Sequence, residues 1–204
     1  MPQILLMENV PMLISKNHIH NFKKWDNFLT SLGYKNYTKC LNSKDFGIPQ
    51  NRNRCFMVSI LGDYNYNFPS TQQLNIKLKD MLEETVDEKY YLTPKQIVDI
   101  QGWKAYEKPL EQLEKTDKKQ LSPTITTRSG AYAAGMILVK DKNLLDDLRI
   151  RKLTPKETTR LMGFEDSDYD AMKQDLSDMA IYHCCGDSIV VNVLEHIFKQ
   201  MKEQ

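Results

Sequence analysis

The 204-residue sequence lacks the features that mark membrane, secreted and strongly basic proteins. No apolar run approaches the roughly 20 residues of a transmembrane helix. The segment MPQILLMENV has neither the charged leader nor the small-residue cleavage site of a signal peptide. The four cysteines have no metal-binding spacing and no disulfide framework, which is typical of a reduced, cytoplasmic chain. Because the formal net charge is only +1, attraction to nucleic acid would require a local cluster of charge.

The first part of the chain has the alternating pattern of an α/β sheet. QILLMENV is typical of a buried strand whose C-terminal end is polar. Apolar side chains recur at helical spacing from Phe22 to Leu32 and stop at Gly33, which predicts a helix that ends at a glycine cap. YKNYTKCLNS and RCFMVSILG predict two further strands, which could pair antiparallel at the edge of an otherwise parallel sheet.

Changes in pattern along the chain predict a division into three parts: residues 1–62, 63–150 and 151–204. Periodicity is weak in the middle part, where we expect a separate, irregular lobe with a helix that begins after Thr93. Order returns with LTPKETTRLMGF, in which Thr154, Pro155 and Glu157 have the pattern of a helix N-cap. We expect these three residues to form a structural hinge between the lobes.

Two arginines lie two residues apart in the stretch DFGIPQNRNRCFMV. Alternate residues of a strand face the same side, so Arg52 and Arg54 could point into one pocket. A guanidinium group is planar and keeps its proton, which suits the recognition of a flat ligand. The alternative is a solvated turn that leads into a strand, where charge is common.

Four segments in this order resemble the later motifs of cytosine-5 DNA methyltransferases: Glu8-Asn9-Val10 at a strand end, PQNRNR, RKLTPKETTRLMGF and GDSIVVNVLEHI. The resemblance implies an α/β fold, with the C-terminal part of a Rossmann-like methyltransferase sheet and an irregular, mostly β target-recognition lobe at residues 63–150. The family's Pro-Cys nucleophile and Gly-rich cofactor loop do not occur in these 204 residues. We therefore expect the chain to correspond to the C-terminal half of such an enzyme.

The resemblance also implies a catalytic pocket. In this family a cysteine thiolate adds to C6 of a cytosine that has left the duplex, and C5 then attacks the methyl group of S-adenosyl-L-methionine. Glu8 would donate a proton to N3 and accept from the N4 amino group, and Arg54 would donate to O2. Arg52 is expected to brace the loop that carries the carboxylate, or to bind a phosphate. Gln50 would hold the turn and Asn9 would brace its own loop.

The cofactor S-adenosyl-L-methionine is assigned to the start of the last segment. Asp187, Ser188 and Ile189 match the family segment that contacts the methyl donor, and Asp187 stands where asparagine is more usual. The apolar stripe from Ile189 to Met201 predicts an amphipathic helix. A helix N-terminus close to Asp187 would suit the charged amino-acid end of the cofactor.

The middle lobe is expected to read bases of double-stranded DNA from the major groove and to contact phosphates. The candidate DNA contacts are Thr124, Thr126, Thr127 and Arg128. A polar loop that precedes a hairpin is the alternative interpretation of this segment. Three aromatic residues of the lobe are expected in the core rather than stacked on bases: Tyr90, Tyr91 and Trp103. The sequence offers no metal site.

Three functions are compatible with these features. The first is a methyltransferase segment of a restriction-modification, phage or orphan system, inactive alone, that works with an N-terminal half or is the remnant of a truncated gene. The second is a non-catalytic, sequence-specific DNA-binding module or subunit. The third is an interaction protein whose open sheet edge seeks a partner.

Overall fold

The computed structural model describes residues 1–101, 109–130, 137–142 and 148–202 and confirms an α/β architecture. Trp103 lies outside the described residues, Tyr91 is buried and Tyr90 is half-buried. The strands are β1 (Ile4–Asn9), β2 (Tyr34–Asn42), β3 (Asn53–Leu61), β4 (Leu138–Lys142) and β5 (Leu148–Lys152). The α-helices are α1 (Ile19–Ser31), α2 (Pro94–Gln101), α3 (Pro109–Lys119), α4 (Pro155–Leu161), α5 (Asp166–Asp175), α6 (Asp178–Asp187) and α7 (Val191–Lys202).

The main sheet has the order β1–β3–β2, and both pairings are antiparallel. The predicted antiparallel pairing of the second and third strands is therefore confirmed. The expected edge position in an otherwise parallel sheet is wrong for the described strands, because β3 lies between β1 and β2 and neither pairing is parallel. Glu8 lies opposite Phe56 across β1 and β3, and Cys40 lies opposite Cys55 across β2 and β3. Strand β3 is paired on both sides and has a hydrophobic cluster on each face, and its residues from 55 to 60 are all buried.

The two faces of β3 enter different hydrophobic clusters, as expected from the two-residue period of a strand. Phe56 and Val58 belong to the large core, which α7 joins through Val193 and Ile197. Met57 faces the other way and packs in a smaller cluster beneath α1. The side chains of even-numbered β3 residues therefore lie on the face that α7 covers.

Helix α1 begins three residues before the predicted apolar stripe and is followed by Gly33, whose φ of 91° is the left-handed conformation of a glycine cap. Of the predicted stripe only Leu29 is buried. Trp25 and Phe28 are 44% and 54% exposed, and their rings are 6.0 Å apart. The stripe therefore packs on the sheet through Leu29 and the partly buried Phe22, and it leaves two aromatic side chains at the surface.

The described residues between 63 and 150 contain more helix than strand, contrary to the prediction of a mostly β lobe. Helices α2 and α3 pack with β4 around a cluster that contains Ile100, Leu113 and Leu138. The predicted helix start is confirmed, because Thr93 and Gln96 cap each other through side chain and main chain. Strand β4 pairs antiparallel with β5.

The predicted N-cap of α4 is confirmed as a capping box between Thr154 and Glu157. Glu157 also accepts two hydrogen bonds from Arg151, at 2.7 and 2.8 Å, and neither side chain is exposed. A buried pair of this kind is costly to break, because the remaining partner is left as an uncompensated charge. In the part of the chain that the structure describes, no helix is long and apolar enough to cross a membrane.

Candidate active site

Glu8 and Arg54 meet at the polar end of the main sheet. Since Glu8 lies opposite Phe56, Arg54 is its diagonal neighbour on the same face. The Nε atom of Arg54 lies 3.1 Å from Oε1 of Glu8. The side chains are 18% and 20% exposed, so the ion pair is half-buried and still open to a ligand.

Burial and the partner Glu8 have opposite effects on the pKa of Arg54. Burial lowers the pKa of Arg54, and the Glu8 carboxylate opposes that change. An arginine starts so far above neutral pH that it stays protonated. The Nη1 atom donates to the carbonyl of Asn53 at 2.9 Å, which fixes the plane of the guanidinium group. A fixed cationic donor beside a carboxyl can bind the edge of a planar base that carries both acceptors and donors.

Arg52 is buried and bound to main-chain oxygens. It is 4% exposed, and Nη1 donates to the carbonyl of Ile125 at 2.6 Å. Nη2 donates to the carbonyls of Gly186 and Ser188 at 3.1 and 2.7 Å. These partners differ from the expected loop of Glu8 or a phosphate. Arg52 instead joins three segments that are distant in the sequence.

The environment of Arg52 is unfavourable to its charge. Burial, and then the neighbouring cation of Arg54, lower the pKa of Arg52 to about 10. The Nε atom is buried and has no hydrogen-bond partner among the described residues. The side chain nevertheless stays charged at neutral pH, because its pKa remains well above 7.

Gln50 shares the partner residue Ile125 with Arg52 and adds a contact to α4. Its Nε2 atom donates to the carbonyl of Leu161 at 2.7 Å, and its Oε1 atom accepts from the amide of Ile125 at 2.8 Å. Gln50 is fully buried, so both bonds are shielded from water. The turn before β3 is thus tied to α4 and to the segment around residue 125.

A small cavity of about 10 Å³, roughly the room of one water molecule, lies where the main sheet meets the segment before α7. Arg52 and Arg54 both line it, together with Phe56 and Ile189. The two-residue spacing therefore does bring both arginines to one cavity, although their guanidinium groups bind different partners. Ile189 is the candidate cofactor residue that comes to this cavity.

The segment from Asp187 to Ile189 does not form a helix N-terminus. Helix α6 ends at Asp187 and α7 begins at Val191, so the prediction of a helix start beside Asp187 is wrong. Ser188 is the C-cap of α6, and its amide donates to the carbonyl of Cys184 at 2.9 Å. The Asp187 carboxylate lies 3.1 Å from Nδ1 of His183 and is 65% exposed.

The candidate DNA contacts form a turn rather than an open polar loop. The hydroxyl of Thr124 donates to the carbonyl of Asn51 at 2.8 Å. The hydroxyl of Thr126 accepts from the amide of Arg128 at 3.3 Å. Arg128 is exposed and Thr127 is partly buried. The Thr126 hydroxyl therefore stabilises the turn, the Thr124 hydroxyl ties this segment to the turn before β3, and Arg128 is the side chain most accessible to a ligand.

Gly186 and Ile125 have roles that the sequence reasoning missed. A Cβ atom on Gly186 would lie 2.1 Å from the amide nitrogen of Thr127, so α6 touches the main chain of the turn directly. Ile125 is fully buried in the large core. A glycine inside a helix was the available signal for this close approach.

The chain matches the family model described as C-5 cytosine-specific DNA methylase over residues 1–203. It is 38% identical over 213 residues to the type II methyltransferase M2.ScrFI of Lactococcus lactis subsp. cremoris, a match that covers 98% of this chain and 54% of that protein. It is 32% identical over 224 residues to the type II methyltransferase M.Bsp6I of Bacillus sp., covering 98% of this chain and 66% of that one.

The fold is also similar to solved structures. The crystal structure of the S. pombe Dnmt2 methyltransferase matches with a TM-score of 0.75 and 21% identity, covering 99% of this chain and 65% of that one. This chain thus spans between about half and two thirds of the length of the proteins that it matches. Because the family model covers nearly the whole sequence, the chain belongs to the C-5 cytosine-specific DNA methylase family.

Proposed function

We propose that this chain is a segment of a DNA (cytosine-5) methyltransferase and supplies its pocket for the target base. The observation that carries the proposal is the ion pair between Glu8 and Arg54 on one face of the sheet, with an Nε–Oε1 distance of 3.1 Å. The substrate would be a cytosine in double-stranded DNA, and the methyl donor would be S-adenosyl-L-methionine. Residues 1–62 and 151–204 would form the catalytic part, and residues 63–150 would form the recognition lobe.

The two side chains have complementary tasks at an extruded cytosine. Arg54 would donate from its guanidinium group to O2 of the base. Glu8 would accept from the N4 amino group and, in its protonated form, donate to N3. Withdrawing electrons at N3 and O2 makes C6 more susceptible to a nucleophile, which is general acid assistance by the carboxyl. The base must leave the duplex for both contacts to form.

Arg52 would position the segments that form this pocket. It binds the carbonyls of Ile125, Gly186 and Ser188, so its guanidinium group is already committed to the protein. We therefore assign it to positioning the segments around Arg54 rather than to contact with the base. The buried position of Arg52 supports this assignment.

Asp187, Ser188 and Ile189 would hold part of S-adenosyl-L-methionine, and their chemistry fits the group. The exposed carboxylate of Asp187 can accept from an ammonium group, and the hydroxyl of the next residue, Ser188, donates to the carbonyl of Ile189 at 3.2 Å. Ile189 lines the apolar side of the cavity beside Arg54 and can pack on a flat ring. When bound, the cofactor supplies an electrophilic methyl group.

The turn at residues 124–128 would contact DNA. Arg128 is the best candidate for a phosphate contact, because it is exposed and charged. The Thr124 hydroxyl donates to the carbonyl of Asn51 and the Thr126 hydroxyl accepts from the amide of Arg128, so their DNA contacts would use the remaining lone pairs. Thr127, which is partly buried, would contribute to the same DNA-binding surface.

The reaction also requires groups that these 204 residues do not contain. The sequence has no Pro-Cys dipeptide and no Gly-x-Gly loop. A further segment of the family, corresponding to an N-terminal half, would supply the nucleophile and the rest of the cofactor site. The chain without that segment is expected to be inactive.

The test combines the chain with a family segment that carries the Pro-Cys nucleophile and measures transfer of labelled methyl from S-adenosyl-L-methionine to duplex DNA. Glu8→Gln should lower the rate by about 100-fold or more, because it removes the proton donor. Asp63→Asn is the matched control, since that carboxylate is 94% exposed beyond the far end of β3, and it should leave the rate unchanged. Full activity of Glu8→Gln would refute the role of the pocket. Sequence-selective DNA binding by the chain, with no methyl transfer alongside any family segment, would favour a non-catalytic module.

A further inference from the structure

Two cysteines lie directly opposite each other on neighbouring strands. Cys40 of β2 and Cys55 of β3 are register partners in the antiparallel pairing. Just before β3, the amide of Ser43 donates to the carbonyl of Arg52 at 3.1 Å. Ser43 and Arg52 therefore form a hydrogen-bonded pair. Such pairs alternate with non-hydrogen-bonded pairs along an antiparallel ladder. Counting back from Ser43 places Cys40 and Cys55 at a non-hydrogen-bonded position.

The other end of the same strand pair also places Cys40 and Cys55 at a non-hydrogen-bonded position. The amide of Gly62 donates to the carbonyl of Gly33 at 3.1 Å, and an odd number of steps separates that pair from Cys40 and Cys55. Non-hydrogen-bonded partners have Cα atoms about 4.5 Å apart and side chains close together. Disulfides form at Cα separations of roughly 4.4–6.8 Å, so this position is within range without movement of the main chain.

The two thiols differ in their access to solvent. Cys55 is fully buried, whereas Cys40 is partly exposed, and both are free. Burial, and then the neighbouring Cys40, raise the pKa of Cys55 to about 11. Thiolates are the reactive form of cysteine, so an oxidant from solvent should react first at Cys40.

We propose that Cys40 and Cys55 are a disulfide-forming site that closes when a small disulfide, such as oxidised glutathione, reaches the protein. The Cys40 thiolate attacks one sulfur of the reagent, forms a mixed disulfide and releases one thiolate of the reagent. The Cys55 thiol then loses its proton and attacks the Cys40 sulfur, which expels the second thiolate. Both protein sulfurs are oxidised and the reagent is reduced to two thiols.

The disulfide would close the loop that carries the candidate pocket arginine. Residues 41–54 lie between the two cysteines and contain Gln50, Arg52 and Arg54. Adjacent strand residues face opposite sides, so the Cys55 side chain points away from Arg54. The bond therefore forms without displacing Arg54 from Glu8. Its effect is to hold together the two strands at the base of this hairpin.

The test treats the folded chain with oxidised glutathione, blocks the remaining thiols with N-ethylmaleimide and maps tryptic peptides by mass spectrometry. Trypsin separates Cys40 and Cys55 into the peptides 40–44 and 55–77, so a link between them is directly visible. The expected product is these two peptides joined, with the loss of two hydrogen atoms and reversal by dithiothreitol. Cleavage at Lys44 and Arg52 in the folded protein should also become severalfold slower.

Three variants separate the outcomes. Cys55→Ser should stop at the mixed disulfide of glutathione on Cys40, and Cys40→Ser should leave Cys55 unreacted. Cys184→Ser is the control, since Cys184 is exposed on α6, and it should not affect the link. Wild-type protein that keeps glutathione on Cys40, or that links Cys40 to Cys184, would overturn the proposal.

Discussion

Arg52 donates from Nη2 to the carbonyl of Ser188 at 2.7 Å, across 136 residues of sequence. The same guanidinium group donates to Ile125 from Nη1. One buried cation therefore joins the strand that carries Arg54, the turn of candidate DNA contacts and the segment between α6 and α7. The arrangement of the segments around the candidate pocket therefore depends on this connection.

Replacing Arg52 by methionine should destabilise the protein by about 3 kcal/mol, because several buried carbonyls lose charged donors and find no water. The measurement is the free energy of unfolding from urea titration. Lys35→Met is the control, since the Lys35 ammonium is 44% exposed in a surface ion pair. That control should change stability by less than about 1 kcal/mol. A neutral effect of Arg52→Met would show that the carbonyls find other partners.

Replacing Arg54 by lysine should lower methyl transfer in the reconstituted enzyme by about 100-fold, the usual cost of losing a positioned donor to a developing charge. The positive charge remains, but the planar group that contacts Glu8 and the base does not. Measuring the rate of methyl transfer at saturating DNA separates this loss from any loss of DNA affinity. Arg149→Lys is the matched control, because Arg149 pairs with Glu88 on the surface, and it should retain the wild-type rate. A wild-type rate for Arg54→Lys would show that the reaction does not require the planar guanidinium group.

Replacing Gly186 by alanine should destabilise the protein by about 2 kcal/mol, as overpacking does in a well-packed core. The added Cβ would lie 2.1 Å from the amide nitrogen of Thr127 and 2.3 Å from the carbonyl carbon of Thr126, and neither main-chain atom can rotate away. At an ordinary helix position the same change stabilises by about 0.5–1 kcal/mol. The sign of the change in unfolding free energy is therefore the test, with Asn27→Ala on the exposed side of α1 as the propensity control.

Replacing Asp178 by asparagine should flatten the loss of stability in acid. Burial raises the pKa of Asp178, but hydrogen bonds from Lys173, Tyr90 and Lys89 outweigh it and hold the pKa below the ordinary value of 3.8. A carboxyl with a lowered folded pKa stabilises the protein above its unfolded pKa, and that stability is lost as pH falls below about 4. Unfolding free energies measured from pH 5 downward should fall less steeply in the variant. Asp175→Asn should keep the wild-type slope.

The elements with a clear local signal were predictable from the sequence. The caps at Thr93 and Thr154 depend on residues three positions away, so the pattern is visible in a short window. The antiparallel pairing of β2 with β3 was predictable because only residues 43–52 connect the two strands, which is too short for the crossover that a parallel pair needs. The two-residue period of a strand predicted that Arg52 and Arg54 would lie beside one cavity.

The partners of Arg52 were not predictable, because they are main-chain carbonyls 73 to 136 residues away and any residue type supplies a carbonyl. The break between α6 and α7 was missed for a different reason. Ile189 and Val190 continue the apolar period of α7, so the sequence has no local signal that the helix begins only at Val191. The break is imposed by tertiary contacts, since the carbonyl of Ser188 is bound by Arg52.

The position of Ser122 has a consequence for chimeric enzymes. Its amide and carbonyl bond to Pro49 and Asn51, and Ile125 bonds to Gln50, so this stretch lies against the turn before β3 although it falls within the predicted recognition lobe. A graft that exchanges all of residues 63–150 would replace that stretch with foreign sequence. A chimera that retains native residues 120–130 should keep its soluble expression. An exchange of the predicted recognition lobe should therefore replace the residues before 120 and after 130 and leave this stretch native.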